Sequence, residues 1–185
     1  IRKSITVQSD FRRRKANHMA KELDAGDIIL QKETPIGPDE DAQALTARLA
    51  ELGAEALSEA VAAIGAGTST RTPQDEGHQT YASMLTKEMS PIDWTRTVRE
   101  IDCQVRGLIP WPCAACELAG RRFKIFRTAP GGPTEAAPGT VLSAGKQGIQ
   151  VACGGGESLY LTELQAEGGK RMAAGAYLLG HPLEV

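Results

Sequence analysis

Cysteine is scarce in this chain of 185 residues, and Cys103, Cys113, Cys116 and Cys153 are too unevenly placed for the disulfide framework of a small secreted domain. Reduced thiols follow. Long apolar runs are missing too: no window approaches the roughly 18 consecutive apolar residues of a membrane helix. Charges between Ile1 and Lys15 stand where a signal peptide carries its apolar core, which reads as a cytoplasmic chain with no membrane partner. Neither sign of charge dominates, with 21 Lys and Arg against 23 Asp and Glu, so a strongly basic nucleic-acid binder is excluded on average. Any charged partner must be met by a local patch.

Two motifs suggest chemistry and then fail in detail. Cys113 and Cys116 form a C-x-x-C, but a zinc site wants a second ligand pair at short spacing, and His18, His78 and His181 are scattered. A redox dithiol wants a βαβ unit around the motif, so structural thiols and no metal are expected. The step Gly145-Lys146-Gln147 lacks the Ser or Thr and the following helix of a phosphate loop, and Gly154-Gly155-Gly156 likewise reads as a hairpin turn.

Along the chain, residues 1–17 carry a basic run, Arg12 to Lys15, without hydrophobic periodicity, and are left as an unassigned tail. Ile28 to Leu30 reads as a strand after the turn Asp24-Ala25-Gly26-Asp27. Asp39, Glu40 and Asp41 then open an amphipathic helix marked by Leu45, Leu49, Leu52, Ala56, Val61 and Ile64, closed by Gly65-Ala66-Gly67. Residues 68–87 have the composition of a linker. A second helix carries Val98, Ile101, Val105 and Leu108, with Asp93 as its cap and Pro110 and Pro112 as its stop.

Beyond Pro112 the period is that of strands: 114–118, 123–128, 139–142, 148–152 and 158–164, then a short helix near 172–179. Five short strands after one helix predict a closed barrel of the oligonucleotide- and oligosaccharide-binding type. Residues 85–185 hold 11 basic and 10 acidic groups, so nucleic acid would need one face, and Arg106, Arg121, Arg122, Lys124 and Arg127 cluster in sequence. Alternation places Arg122, Lys124 and Phe126 on one side of a strand, either as a solvated face or as a binding surface. Trp94 and Trp111, each beside a helix end, read as packing anchors.

Seven collinear segments together resemble methionyl-tRNA formyltransferase: Glu22 to Leu30; Thr80-Tyr81-Ala82 with Lys87-Glu88; Ile92-Asp93-Trp94; Arg106 to Pro112; Pro138 to Leu142; Gly148 to Gly154; and Leu164-Gln165 with Gly168 to Met172. The resemblance implies an α/β remnant of a Rossmann-like formyltransferase domain over 18–67, the linker 68–87, and an OB-fold-like five-stranded β-barrel over 88–185. It implies transfer of a formyl group from 10-formyltetrahydrofolate to the α-amino group of initiator methionyl-tRNA, in translation initiation. Asp24 matches the family's catalytic aspartate, and its plainer reading is a turn former before a strand.

The family's Asn-x-His and folate segments have no counterpart in residues 1–17, which suggests a truncated or frameshifted reading frame. Each missing oxyanion donor costs a factor of at least ~100, so the polypeptide alone is expected to be inactive. Lys87, Arg106, Arg122, Lys124 and Lys146 are the candidate tRNA contacts. The family would act as a monomer, and self-association through exposed apolar surface is expected of the truncated chain. Two other readings stay open: a stand-alone nucleic-acid-binding module, and a formyltransferase acting on an amino sugar.

Overall fold

A computed structural model of the protein describes residues 11–17, 26–74 and 82–184; Asp24, His18 and the Thr80-Tyr81 step lie outside the described residues. The chain divides into two compact units, with the division between Ser83 and Met84.

In the N-terminal unit, β1 (Phe11–Asn17) pairs antiparallel with β2 (Ile28–Pro35), with Lys15 opposite Gln31. Residues 11–17, which show no hydrophobic period, are thus a strand: the backbone ladder to β2 orders a segment whose side-chain pattern gives no sign of it. The helix α1 (Ala42–Gly65) begins at Asp41, whose Oδ1 accepts from Ala44 N at 2.8 Å, and Gly67 beyond its end takes φ 69°. Its buried stripe is Leu45, Leu49, Ala56 and Ala60. Val61 and Ile64 are exposed instead: the five-residue step from Ala56 to Val61 turns roughly 140° around a helix of 3.6 residues per turn, and Ile64 lies in the last turn, beyond Ala60, the last buried residue of the stripe. After α1 the chain returns to β2, where Thr72 and Ile28 exchange backbone hydrogen bonds of 2.8 and 3.0 Å and Gln74 Nε2 donates to Gly26 O.

Arg48 fastens α1 to the loop that follows β2. Its guanidinium donates to both Glu40 carboxylate oxygens, at 2.9 and 2.7 Å, to Pro35 O at 2.6 Å, and to Thr34 Oγ1. The Arg48 hydrogen bonds hold the Glu40 carboxyl below its ordinary 4.5. This contribution is full above pH 4.5 and is lost as pH falls through the depressed value. Protection of the α1 amides, taken relative to their intrinsic exchange at each pH, should therefore fall on acidification in the parent chain, and Glu40→Gln should remove much of that acid dependence while lowering protection at pH 7. Equal acid dependence in both chains would refute the assignment.

In the C-terminal unit, α2 (Val98–Gly107) starts with a capping box in which Thr97 Oγ1 accepts from Glu100 N and Glu100 Oε2 accepts from Thr97 N. Asp93 is not the cap: it accepts from Thr95 N and Thr95 Oγ1, one turn earlier. The strands are β3 (Ala114–Leu118), β4 (Arg121–Pro133), β5 (Val141–Gly145), β6 (Gly148–Ala152), β7 (Glu157–Ala166) and β8 (Met172–Ala173), followed by the helix α3 (Ala174–Gly180).

The expected closed barrel is not formed. All six strands belong to one open sheet in the order β3-β4-β7-β6-β5, with β8 against β7. Closure needs β3 and β5 to pair, and the free edge of β3 is already taken: Ala115 N donates to Ser90 O at 2.7 Å and Ala115 O accepts from Ile92 N at 2.9 Å. Gln104 of α2 holds that sealing segment in place, its Nε2 donating to Met89 O and Pro91 O at 2.9 Å. The hydrophobic core is nevertheless continuous, with Phe123, Ile125, Ile149, Val151, Leu159, Leu161 and Leu164 under α2 and α3. The strand β4 runs through Pro130-Gly131-Gly132-Pro133, which reads as a turn in sequence, because β3 pairs only as far as Ile125 and leaves one edge open to proline.

Candidate nucleic-acid interface

The sheet sorts the candidate contacts by simple alternation. On β4, Phe123 and Ile125 are buried, so Arg122 and Lys124 project outward. Arg122 stands across from Glu117 and Lys124 across from Ala115 on β3; on the other side Lys124 faces Gln165 of β7. The register then steps from Ile125 opposite Leu164 to Arg127 opposite Glu163, which makes Phe126 the extra residue of a bulge. The bulge leaves Phe126 outside the core cluster and Arg127 exposed.

A further cation reaches this face from the end of β8. Arg171 donates from Nε and Nη2 to the two oxygens of Glu163 at 2.9 and 2.8 Å, and its guanidinium carbon lies 4.4 Å from the centre of the Phe126 ring. The pairing with Arg171 holds the Glu163 carboxyl below its ordinary range. Sequence reasoning places Arg171 only within a matching motif. The signal it lacks is the pairing of Glu163 with Ala173, which folds the 167–171 turn back beside β7.

The other three candidates lie apart from Arg122 and Lys124. Lys87 is exposed in the 3-10 turn Lys87–Met89 at the start of the unit. Arg106, half-buried on α2, donates to Asp102 Oδ2 at 2.8 Å, while Asp102 Oδ1 accepts from Thr128 Oγ1 at 2.6 Å, so this cation takes part in tying α2 to β4. Lys146 is exposed in the turn between β5 and β6, two to three strand spacings of about 4.8 Å from β4. The catalytic candidate, Asp24, lies outside the described residues.

The tryptophans divide. Trp94 packs on the core and against Gly139, as a packing anchor should. Trp111 does not: it is 51% exposed, although its neighbours Leu108, Ile109, Pro112 and Cys113 are buried. Prolines on both sides fix the loop, with cis bonds before Pro110 and Pro112, and Cys113 N donates back to Leu108 O at 3.0 Å.

The four cysteines are free thiols. Burial pushes Cys116 up to about 12 and Cys153 to about 11, and it raises Cys113 as well. A dithiol that attacks disulfides needs the opposite shift. Among the described residues no three His, Cys, Asp or Glu side chains come together as a metal site, and no helix is long and apolar enough to cross a membrane.

Residues 84–182 match the C-terminal domain of formyl transferase, and residues 15–61 match formyl transferase itself. Among curated relatives, methionyl-tRNA formyltransferase of Citrifermentans bemidjiense is 46% identical over 164 residues, 88% of this chain and 50% of the relative. The same enzyme of Geotalea daltonii is 46% identical over 163 residues, 87% of this chain and 51% of the relative. The chain thus spans about half the length of the curated relatives it matches. In fold it is similar to WlaRD, a sugar 3N-formyl transferase, with TM-score 0.67 at 16% identity over 90% of this chain and 60% of that one. With more than half of its residues matched by the C-terminal domain alone, the chain belongs to the formyl transferase family.

Proposed function

We propose that the chain is the C-terminal portion of a methionyl-tRNA formyltransferase and that its C-terminal unit holds the initiator tRNA. The reaction is transfer of a formyl group from 10-formyltetrahydrofolate, the second substrate, to the α-amino group of methionyl-tRNA in the cytoplasm. The amine nitrogen attacks the formyl carbon and a tetrahedral intermediate forms; a carboxylate takes the proton that the amine must lose, and the intermediate collapses by breaking the bond between the formyl carbon and N10, which releases tetrahydrofolate with N10 protonated. In this reading Asp24 is that carboxylate. The observation that carries the proposal is the 46% identity, which extends over 164 residues and through both units. An amino-sugar formyltransferase has only the likeness of fold in its favour.

The outward face of β4 suits an RNA backbone, since Arg122 and Lys124 lie two residues apart on one side of a strand whose other side is core. Lys87, Arg106 and Lys146 are proposed as further contacts, with Arg106 the least available because of its bond to Asp102. Titration of the 185-residue polypeptide with initiator tRNA at 50 and 200 mM salt tests the reading. Three to five phosphate contacts should weaken binding by roughly 20- to 500-fold over that interval. No binding at low salt by the folded polypeptide would overturn the proposal, as would a preference for a nucleotide-linked amino sugar.

A further inference from the structure

An indole that is half exposed on a braced loop is an unusual use of hydrophobic surface. Trp111 is such a group: Leu108, Ile109, Pro112 and Cys113 on either side of it are buried, so packing of its neighbours holds the loop in place. The chain then enters β3 three residues after Trp111, where Ala114 pairs with Ile125. Cys113 is therefore the next position along from that pair, toward the Phe126 bulge, and Lys124 stands one pair further in, across from Ala115. Trp111, Phe126, Lys124 and Arg171 thus belong to one end of the β3–β4 pair.

Arg171 at this end is more than a charge. Phe126 lies against its guanidinium at 4.4 Å, and two hydrogen bonds to Glu163 fix the orientation of the plane, while its side chain stays 46% exposed. An oriented guanidinium plane and an exposed indole are the two surfaces on which unstacked RNA bases are held, and cations beside them meet the phosphates. Full pairing to Glu163 also lowers the value of Arg171 as a phosphate contact, which makes its plane the more useful part. We infer that Trp111 and the Arg171–Phe126 pair form a base-stacking platform for unpaired nucleotides of an RNA, with Lys124 as the adjoining phosphate contact. The inference rests on the RNA-binding reading and adds to it a requirement for bases.

The test compares two probes of equal charge, an eight-nucleotide single-stranded RNA and an abasic oligonucleotide of the same length, with the full polypeptide at low salt. The RNA should bind at least about 10-fold more tightly than the abasic probe. Trp111→Ala and Arg171→Lys should each remove most of that difference, leaving abasic binding and the salt slope unchanged, because Arg171→Lys keeps the charge and loses the plane. Trp111→Ala alters an exposed residue and guards against misfolding of the other variant. Equal binding of the two probes by the parent chain would overturn the platform and leave the RNA-binding reading standing. Failure of both probes to bind, with the chain folded, would overturn the platform and make the Trp111 loop a protein contact, while the titration with initiator tRNA decides the RNA-binding reading separately.

Discussion

Gly154→Ala should unfold the C-terminal unit under conditions where the parent is stable. The new methyl carbon would lie 1.8 Å from Thr95 O and 2.6 Å from its carbonyl carbon, and these are backbone atoms with no rotamer to yield. Gly154 N also donates to Trp94 O at 2.8 Å and Arg96 O at 2.9 Å, so moving the strand end away breaks the contacts that seat the turn before α2. Gly148→Ala combines two faults: its methyl would lie 2.1 Å from Leu161 O, and φ is 125°, where an L side chain is strained. Each substitution is expected to cost about 4 kcal/mol or more, in the range reserved for direct backbone conflict.

Urea unfolding followed by tryptophan fluorescence reads this unit alone, since Trp94 and Trp111 both belong to it. Gly145→Ala is the control. Nothing lies within 4 Å of its methyl and its φ is not positive, so a change of no more than about 1 kcal/mol is expected. If Gly154→Ala and Gly145→Ala unfold at the same urea concentration, the close approach of residues 95 and 154 is wrong.

These glycines also show where sequence reasoning stops. Local patterning reveals β6 with its bounds, because Gly148 and the turn after Ala152 punctuate an apolar run on both sides. It also locates α1 and α2, whose stripes are long enough to count. What it does not show is whatever depends on partners distant in sequence. Five strands are a fair reason to expect a closed barrel, yet the sealing of β3 by residues 90–92 is a contact between a loop and a strand more than twenty residues on. The same holds for Trp111, whose proximity to a helix end suggests burial, and for Arg171, whose neighbours Glu163 and Phe126 are brought to it by strand pairing and a bulge. Strand alternation, by contrast, is purely local, and the two-residue spacing of Arg122 and Lys124 is enough to put them on one face.

That shared face sets the expected result of reversing its charge. In the double variant Arg122→Glu/Lys124→Glu, two exposed cations become anions on a surface that already holds Glu117 opposite Arg122. Phosphates that met attraction would meet repulsion, and the Kd for initiator tRNA should rise by at least ~100-fold at low salt, with a shallower salt dependence. Folding should change little, because neither side chain enters the core, whose adjacent members Phe123 and Ile125 point the other way. Lys146→Glu is the informative comparison. It reverses one charge in the β5–β6 turn, across the sheet from β4, and should weaken binding by less than about 10-fold if the β4 face holds the RNA. A loss from Lys146→Glu as large as that from the double variant would move the interface to the other edge of the sheet. No loss from either, with tRNA still bound in a salt-dependent way, would assign the phosphates to cations outside β4, Lys87 first among them.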